Sequence, residues 1–180
     1  MLPAPRRRPI LLALALALAA TIGVVAVAAL IRTANDLPAI AKGQATPDIV
    51  GTTLDGAPLR LSDLHGHPVV INFWGPTCVP CRDEFPLLKA KLAEHAASGL
   101  AVVGVLTDDP VDLARAFVAD EGATWPTVVD PNSTLKKTYR VVGRPQTYFV
   151  DRDGILRSIQ VGWMQVADFE RQFALISGGS

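Results

Sequence analysis

The stretch that most constrains the fold joins an apolar run to a cysteine pair and a helical segment. The run Val69 to Trp74 predicts a buried strand. It stops at Gly75-Pro76, which is a turn signal. Cys78 and Cys81 follow, and a helix is predicted from there to about residue 97. This order places Cys78 near a helix N-terminus, where free backbone N–H groups and the helix dipole stabilise an anion such as a thiolate.

Cys78 and Cys81 are the only cysteines in the 180-residue sequence. A disulfide across so short a loop would stabilise the fold by only about 2 kcal/mol on the loop-entropy estimate, which disfavours a structural staple. Zinc takes four ligands, and the sequence offers only His65 and His67 nearby to complete a set. The pair therefore favours thiol–disulfide exchange, with structural zinc and an inert thiol pair as the alternatives.

The first 32 residues carry a separate signal. Arg6–Arg8 precede an uncharged run from Pro9 to Ile31. As a helix this run would span about 35 Å, enough for a hydrocarbon core of about 30 Å. It is longer than the apolar region of most signal peptides. Residues 1–32 are therefore predicted to form an uncleaved transmembrane anchor, with a cleaved signal peptide as the alternative, and the arginines would leave the rest of the chain outside the cell membrane.

The remainder is predicted to be a linker, residues 33–45, and one domain, residues 46–177. Within this domain, hairpin signals occur at Asp55-Gly56 and Asp153-Gly154, and short apolar runs alternate with helical segments. The alternation predicts an α/β domain with parallel strand pairing. The 17 basic and 17 acidic residues leave zero net charge, which gives no electrostatic case for nucleic-acid binding.

Three residues near the later elements have plain interpretations. His95, close to the end of a helix rich in Ala, Lys and Glu, is expected on the surface. Trp163 and Met164 come just before the closing helix and are expected to pack in the core.

The segment around the cysteines resembles the active site of the thioredoxin superfamily. The resemblance is carried by Phe73–Cys81, Arg82 and Glu84–Pro86. Within the superfamily the sequence is similar to the membrane-anchored TlpA/ResA branch of extracytoplasmic thiol–disulfide oxidoreductases, over about residues 44–176. This resemblance implies a thioredoxin-like α/β fold with an N-terminal β-hairpin, preceded by a single transmembrane helix. Relatives usually carry Trp immediately before the first cysteine, where this sequence has Thr77.

A second stretch, residues 142–151, resembles the cis-proline loop of the same family. It implies a cis peptide bond at Pro145, placed against Cys78. The backbone of Arg144 would then be free to pair with an extended substrate segment. The resemblance implies a substrate-binding surface that includes Trp74, Thr77, Arg144 and Pro145.

The predicted roles follow from position. Cys78, at the helix start, attacks a partner disulfide, and Cys81 resolves the mixed disulfide. Glu84 lies three residues after Cys81, on the same helical face, and is expected to exchange protons with the thiols, with an ordinary solvated charge as the alternative. Pro80 lacks an N–H that could stabilise the Cys78 thiolate, whereas Arg144 would favour the thiolate if it lies beside it.

The resemblance resolves this conflict in favour of a reductant. It implies service in cytochrome c maturation or in copper-centre assembly of respiratory oxidases, with no cofactor and no metal. The partners would be disulfide-containing extracytoplasmic proteins and a membrane-embedded thiol electron donor. A peroxiredoxin-like peroxidase is one alternative, although Ile71 and Gly75 stand where its Pro-x-x-x-Thr-x-x-Cys motif needs Pro and Thr. A copper chaperone is the other, although the related chaperones space their cysteines CxxxC.

Overall fold

The computed structural model describes residues 16–27 and 40–178. Residues 16–27 are helical and form α1. Across the described residues, no helix is both long and apolar enough to cross a membrane. The other parts of the predicted anchor and linker, residues 1–15 and 28–39, lie outside the described residues. Residues 40–178 fall in a folded unit of their own.

A two-stranded hairpin leads into this unit, as predicted. Strand β1 (Val50–Thr52) pairs antiparallel with β2 (Pro58–Arg60). Their turn contains Gly56 at φ 89°, a conformation that glycine adopts without steric cost. Ahead of the hairpin, the N–H of Gly43 donates to the carbonyl oxygen of Leu156 at 2.7 Å. The chain is therefore tied to the main sheet before the hairpin begins.

The main sheet has five strands, with the predicted apolar strand at its centre. Strand β3 (Val69–Trp74) is buried along its whole length. The other strands are β4 (Ala101–Leu106), β5 (Thr127–Val129), β6 (Gln146–Val150) and β7 (Leu156–Val161). Their order is β5-β4-β3-β6-β7. The predicted parallel pairing holds for β3, β4 and β5. Strand β6 runs antiparallel to β3, and β7 runs antiparallel to β6 because the predicted turn at Asp153-Gly154 reverses the chain between them.

Four helices follow the strands. They are α2 (Val79–Glu94), α3 (Val111–Glu121), α4 (Thr134–Thr138) and α5 (Val166–Ser177). Cys78 is the N-cap of α2, and Pro80 lies in its first turn, where the missing N–H breaks no intrahelical hydrogen bond. Helix α3 ends before Gly122, whose φ of 60° is the left-handed conformation common at helix C-termini.

The side chains of β3 alternate between two cores. Val70 and Trp74 lie in a core built with side chains of α2, α3 and α5. Ile71 and Phe73 lie in a second core on the opposite face. Because successive strand residues point to opposite faces, Asn72 lies on the side of α2. The centre of the sheet therefore brings one polar side chain beneath the helix that carries the cysteines.

The expectations for His95 and Trp163 are wrong. His95 is half-buried: its ring stacks on Phe173 with centroids 4.0 Å apart, and its Nε2 lies 3.3 Å from the Glu170 carboxylate. Trp163 is 49% exposed, although Met164 beside it is fully buried as expected. Helical pattern alone cannot place these residues, because each lies at the boundary of an element.

Candidate active site

The two cysteines form a disulfide at the N-terminus of α2. Cys81 is 1% exposed because the first helical turn carries it into the core, whereas Cys78 at the N-cap is partly exposed. The N–H of Cys81 points to Cys78 Sγ at 3.3 Å. Residue 80 is a proline and cannot add a second donor from that position. The pair thus has one accessible sulfur and one covered sulfur.

Beneath the disulfide lies a buried polar chain. Asn72 Nδ2 donates to Glu84 Oε2 and to Thr147 Oγ1, each at 2.9 Å. All three residues are at most 1% exposed. Glu84 Oε1 has no hydrogen-bond partner among the described residues. The alternative that Glu84 is an ordinary solvated charge is therefore wrong.

Burial sets the protonation of Glu84. Removing a carboxylate from water disfavours its charged form, and this raises the pKa of Glu84 to about 7, although Asn72 and the backbone of Met164 act in the opposite direction. A carboxyl group with that pKa is divided between acid and base near neutral pH. It can therefore give or take a proton one helical turn away from Cys81.

One predicted feature of the residue pair before β6 is confirmed. The peptide bond between Arg144 and Pro145 is cis. Pro145 is buried, and its carbonyl oxygen accepts a hydrogen bond from the N–H of Gly162 at 2.9 Å. That bond places Trp163, the one exposed aromatic residue in the described part of the chain, next to the cis-proline loop. An exposed Trp at this position was not expected from the sequence.

The side chain of Arg144 is engaged by an aspartate that sequence reasoning missed. Arg144 Nη1 lies 3.2 Å from Asp109 Oδ2 and also donates to the carbonyl oxygen of Thr107. Asp109 accepts from the N–H of Thr77 at 3.0 Å and from the Thr77 hydroxyl at 2.7 Å. The charge of Arg144 is therefore neutralised within the protein. Asp109 lies just before α3, where an acidic residue favours the helix dipole, so its place in the sequence gives no reason to expect this contact.

Trp74 does not lie where the predicted substrate-binding surface would need it. It is 0% exposed, because strand alternation turns it into the core beneath α2. Its ring packs against Phe85 with centroids 4.6 Å apart, and Phe85 in turn contacts Phe117 at 4.8 Å and Trp125 at 5.1 Å. This aromatic cluster supports the cysteine helix from below. Thr77, by contrast, is exposed and adjoins Cys78.

One group of side chains has the composition of a metal site. Glu94, His95 and Glu170 present ligand atoms within 4.8 Å of one another. The ammonium of Lys91 binds Glu94 at 2.6 Å and Glu170 at 2.5 Å. Because the lysine ammonium already bridges both carboxylates, the group is an ion-pair network that ties α2 to α5.

The arrangement around the cysteines has the parts that thiol–disulfide exchange requires. Cys78 is accessible at a helix N-terminus, Cys81 lies within reach beneath it, and Glu84 offers a proton exchanger in a dry environment.

Comparison with known proteins agrees with this chemistry. Residues 42–159 match the AhpC/TSA family. The thiol-disulfide oxidoreductase ResA of Geobacillus kaustophilus is 33% identical over 138 residues, covering 77% of this chain and 79% of the relative. The thioredoxin-like protein YneN of Bacillus subtilis is 34% identical over 139 residues, covering 76% and 81%.

A solved structure shares the fold. It is assigned as a thiol:disulfide interchange protein DsbE from Chlorobium tepidum, and it superimposes with a TM-score of 0.72 at 30% identity, covering 78% of this chain and 100% of the other. The family match, the relatives and the bonded cysteine pair agree. The chain therefore belongs to the AhpC/TSA family, as a thiol–disulfide oxidoreductase with a thioredoxin-like fold.

Proposed function

We propose that this protein is a membrane-anchored, extracytoplasmic reductant of disulfides in partner proteins. The observation that carries the proposal is the asymmetry of the pair: Cys78 is partly exposed, whereas Cys81 is 1% exposed. A disulfide on another protein can therefore approach Cys78 but not Cys81. This separates an attacking thiol from a resolving thiol.

The reaction starts from the reduced pair. The Cys78 thiolate attacks one sulfur of the partner disulfide, whose S–S bond breaks, and the released partner thiolate takes up a proton. Cys81 then loses its proton and attacks Cys78 Sγ, which breaks the mixed disulfide and releases the second partner thiolate. Two electrons have moved to the partner, and the protein is left with the Cys78–Cys81 disulfide.

Glu84 acts as the proton exchanger in the second step. Cys81 is too buried for bulk water to take its proton directly. Glu84, one turn further along α2, has a pKa of about 7 because it is buried. Its ionised form can accept the Cys81 proton as the thiolate forms, while Asn72 holds the carboxyl group in place.

Two features support the reducing direction. Pro80 denies the Cys78 sulfur an N–H donor, and Asp109 neutralises the cation of Arg144. A less stabilised thiolate favours the disulfide form and hence electron donation. Equilibration with glutathione should give a reduction potential near about −250 mV or lower, whereas about −120 mV would identify an oxidant and contradict the proposal.

The partners follow from the location. An extracytoplasmic reductant must receive its electrons across the membrane, so we propose a membrane-embedded thiol protein as the donor. The acceptors would be apocytochrome c during maturation or copper-site proteins of respiratory oxidases. Support comes from the relatives named ResA and from the uncharged run behind Arg6–Arg8. Efficient consumption of peroxide by the reduced protein would instead favour a peroxidase.

A further inference from the structure

Asp109 lies in a position enclosed by Gly75, Thr77 and Arg144. Its side chain is 5% exposed. Burial alone would raise the pKa of Asp109, but the amide and hydroxyl of Thr77 and the Arg144 cation outweigh it and hold that pKa below its ordinary value. A Cβ at Gly75 would lie 2.1 Å from Arg144 Nη1 and 2.2 Å from Asp109 Oδ2. The ion pair therefore passes directly over Gly75, where any larger side chain would collide with it.

We propose that Asp109 is a positioning residue for the exchange reaction, which holds the segment before Cys78 through Thr77 and cancels the charge of Arg144 beside it. This inference rests on the proposed role of Cys78 as the attacking thiol. It extends that role, because Asp109, in the loop between β4 and α3, would set the net charge near the attacking sulfur.

The positions of Asp109 and Arg144 determine the charge that lies near Cys78. Asp109 Oδ2 lies 3.0 Å from the N–H nitrogen of Thr77, the residue adjoining Cys78. Bond lengths along the chain then limit its separation from Cys78 Sγ to about 10 Å. Arg144 Nη1 lies 3.2 Å from the same oxygen. Cys78 therefore meets a close pair of opposite charges, whose effects largely cancel, instead of a lone cation.

Two other charged groups near the cysteines have partners of their own. Arg82 lies over the ring of Phe117, 5.5 Å from its centroid, and Asp108 binds Lys136 at 2.5 Å. The residues between β7 and α5, 162–165, carry no ionisable side chain. The ionisable residues of the first turns of α2, the β4–α3 loop and the cis-proline loop are Arg82, Asp83, Glu84, Asp108, Asp109 and Arg144.

The test is a double-mutant cycle read at Cys78. The pKa of the reduced Cys78 thiol is measured from the pH dependence of its alkylation in the folded domain. Asp109→Asn leaves Arg144 unopposed, so the thiol pKa should fall, and Arg144→Gln leaves Asp109 unopposed, so it should rise. A unit charge at about 10 Å gives a shift of about 0.3 to 1 pKa unit in either direction. The double variant should return close to the wild-type value.

Two further variants separate charge from structure. Asp108→Asn removes the same charge one residue away, at φ 61°, a conformation that Asn tolerates, and should shift the thiol pKa by less than Asp109→Asn does. Thr77→Val removes the hydroxyl bonds to Asp109 without changing charge and should leave the thiol pKa nearly unchanged while weakening substrate binding. Shifts of the same sign in Asp109→Asn and Arg144→Gln, or none in either folded variant, would overturn the inference. Continued alkylation at Cys78 in that case would leave the proposed function standing.

Discussion

Asn72 in the central strand β3 donates a hydrogen bond of 2.9 Å to Glu84 in α2, the helix that begins at the cysteine pair. The bond joins the middle of the sheet to α2, and both residues are buried away from water. Because Asn72 is neutral, it holds the Glu84 carboxyl group without compensating its charge. The carboxyl group therefore keeps a pKa of about 7, within the range where it can exchange protons.

The first prediction concerns stability and pH. The folded pKa of Glu84, about 7, lies above the ordinary value of 4.5, so the folded protein binds one more proton than the unfolded chain between these values. The free energy of unfolding of the oxidised protein should therefore fall as pH rises from about 4.5 to 7, by at most about 3 kcal/mol from this group. Glu84→Gln should remove that dependence in denaturant unfolding at pH 5 and pH 8. An equal stability difference between the two proteins at both pH values would contradict it.

The second prediction concerns the rate of the resolving step. Glu84→Gln cannot accept the Cys81 proton, so release of the reduced partner from the mixed disulfide should slow by about 100-fold at pH 7. Rapid-mixing measurements of that release should also lose a pH-dependent step near pH 7 in the variant. Asp83→Asn removes an exposed carboxylate from the same helix and serves as the matched control. A rate within twofold of wild type in Glu84→Gln would show that the carboxyl group has no part in proton transfer.

The third prediction uses the space at Gly75. Gly75→Ala places a methyl group on the Arg144–Asp109 ion pair, which must separate or shift. We expect a loss of about 1–3 kcal/mol in the free energy of unfolding, measured with denaturant. Gly143→Ala is the matched control, because its Cβ meets nothing within 4 Å. Equal free energies of unfolding of the two variants would mean that the ion pair rearranges without loss of stability.

The elements around the cysteines could be predicted because their signals are local. An apolar run, a Gly-Pro turn and a capped helix lie next to one another in the sequence, and β3 and α2 form where the pattern places them. The cis bond before Pro145 was predicted from resemblance and is confirmed. The hairpin signal at Asp153-Gly154 predicts the antiparallel pairing of β6 with β7 and is confirmed. The antiparallel pairing of β6 with β3 was missed, since strand direction depends on which strands meet.

The residues that sequence reasoning misjudged depend on contacts between distant segments. Asp109 binds Thr77 across 32 positions, and its place near the start of α3 gave a sufficient local reason for an acidic residue. For Glu84 the preferred expectation, a place on the same helical face as Cys81, agrees with its burial, and only the alternative of a solvated charge is wrong. Trp74 was placed on the substrate-binding surface from the family resemblance, whereas strand alternation turns it inward.

The fourth prediction concerns the N-terminal segment. If the uncharged residues 9–31 form an anchor, the full-length protein should sediment with membranes and resist carbonate extraction. Protease added to intact cells stripped of outer layers should reach the domain that carries Cys78. Recovery of a soluble protein beginning near Ala29 or Gly43 would show that the segment is a cleaved signal peptide.

The central claim is that Cys78 attacks a partner disulfide and Cys81 resolves the product, and trapping tests it most directly. Cys81→Ala removes the resolving thiol, so mixed disulfides through Cys78 should accumulate in cells and be separable under non-reducing conditions. Cys78→Ala leaves only a thiol that is 1% exposed in the oxidised protein and should trap no partner. We predict that the trapped species are apocytochrome c or proteins of its maturation, or copper-site thiol proteins. Equal trapping by both variants, or capture of many unrelated secreted proteins by Cys81→Ala, would contradict the account.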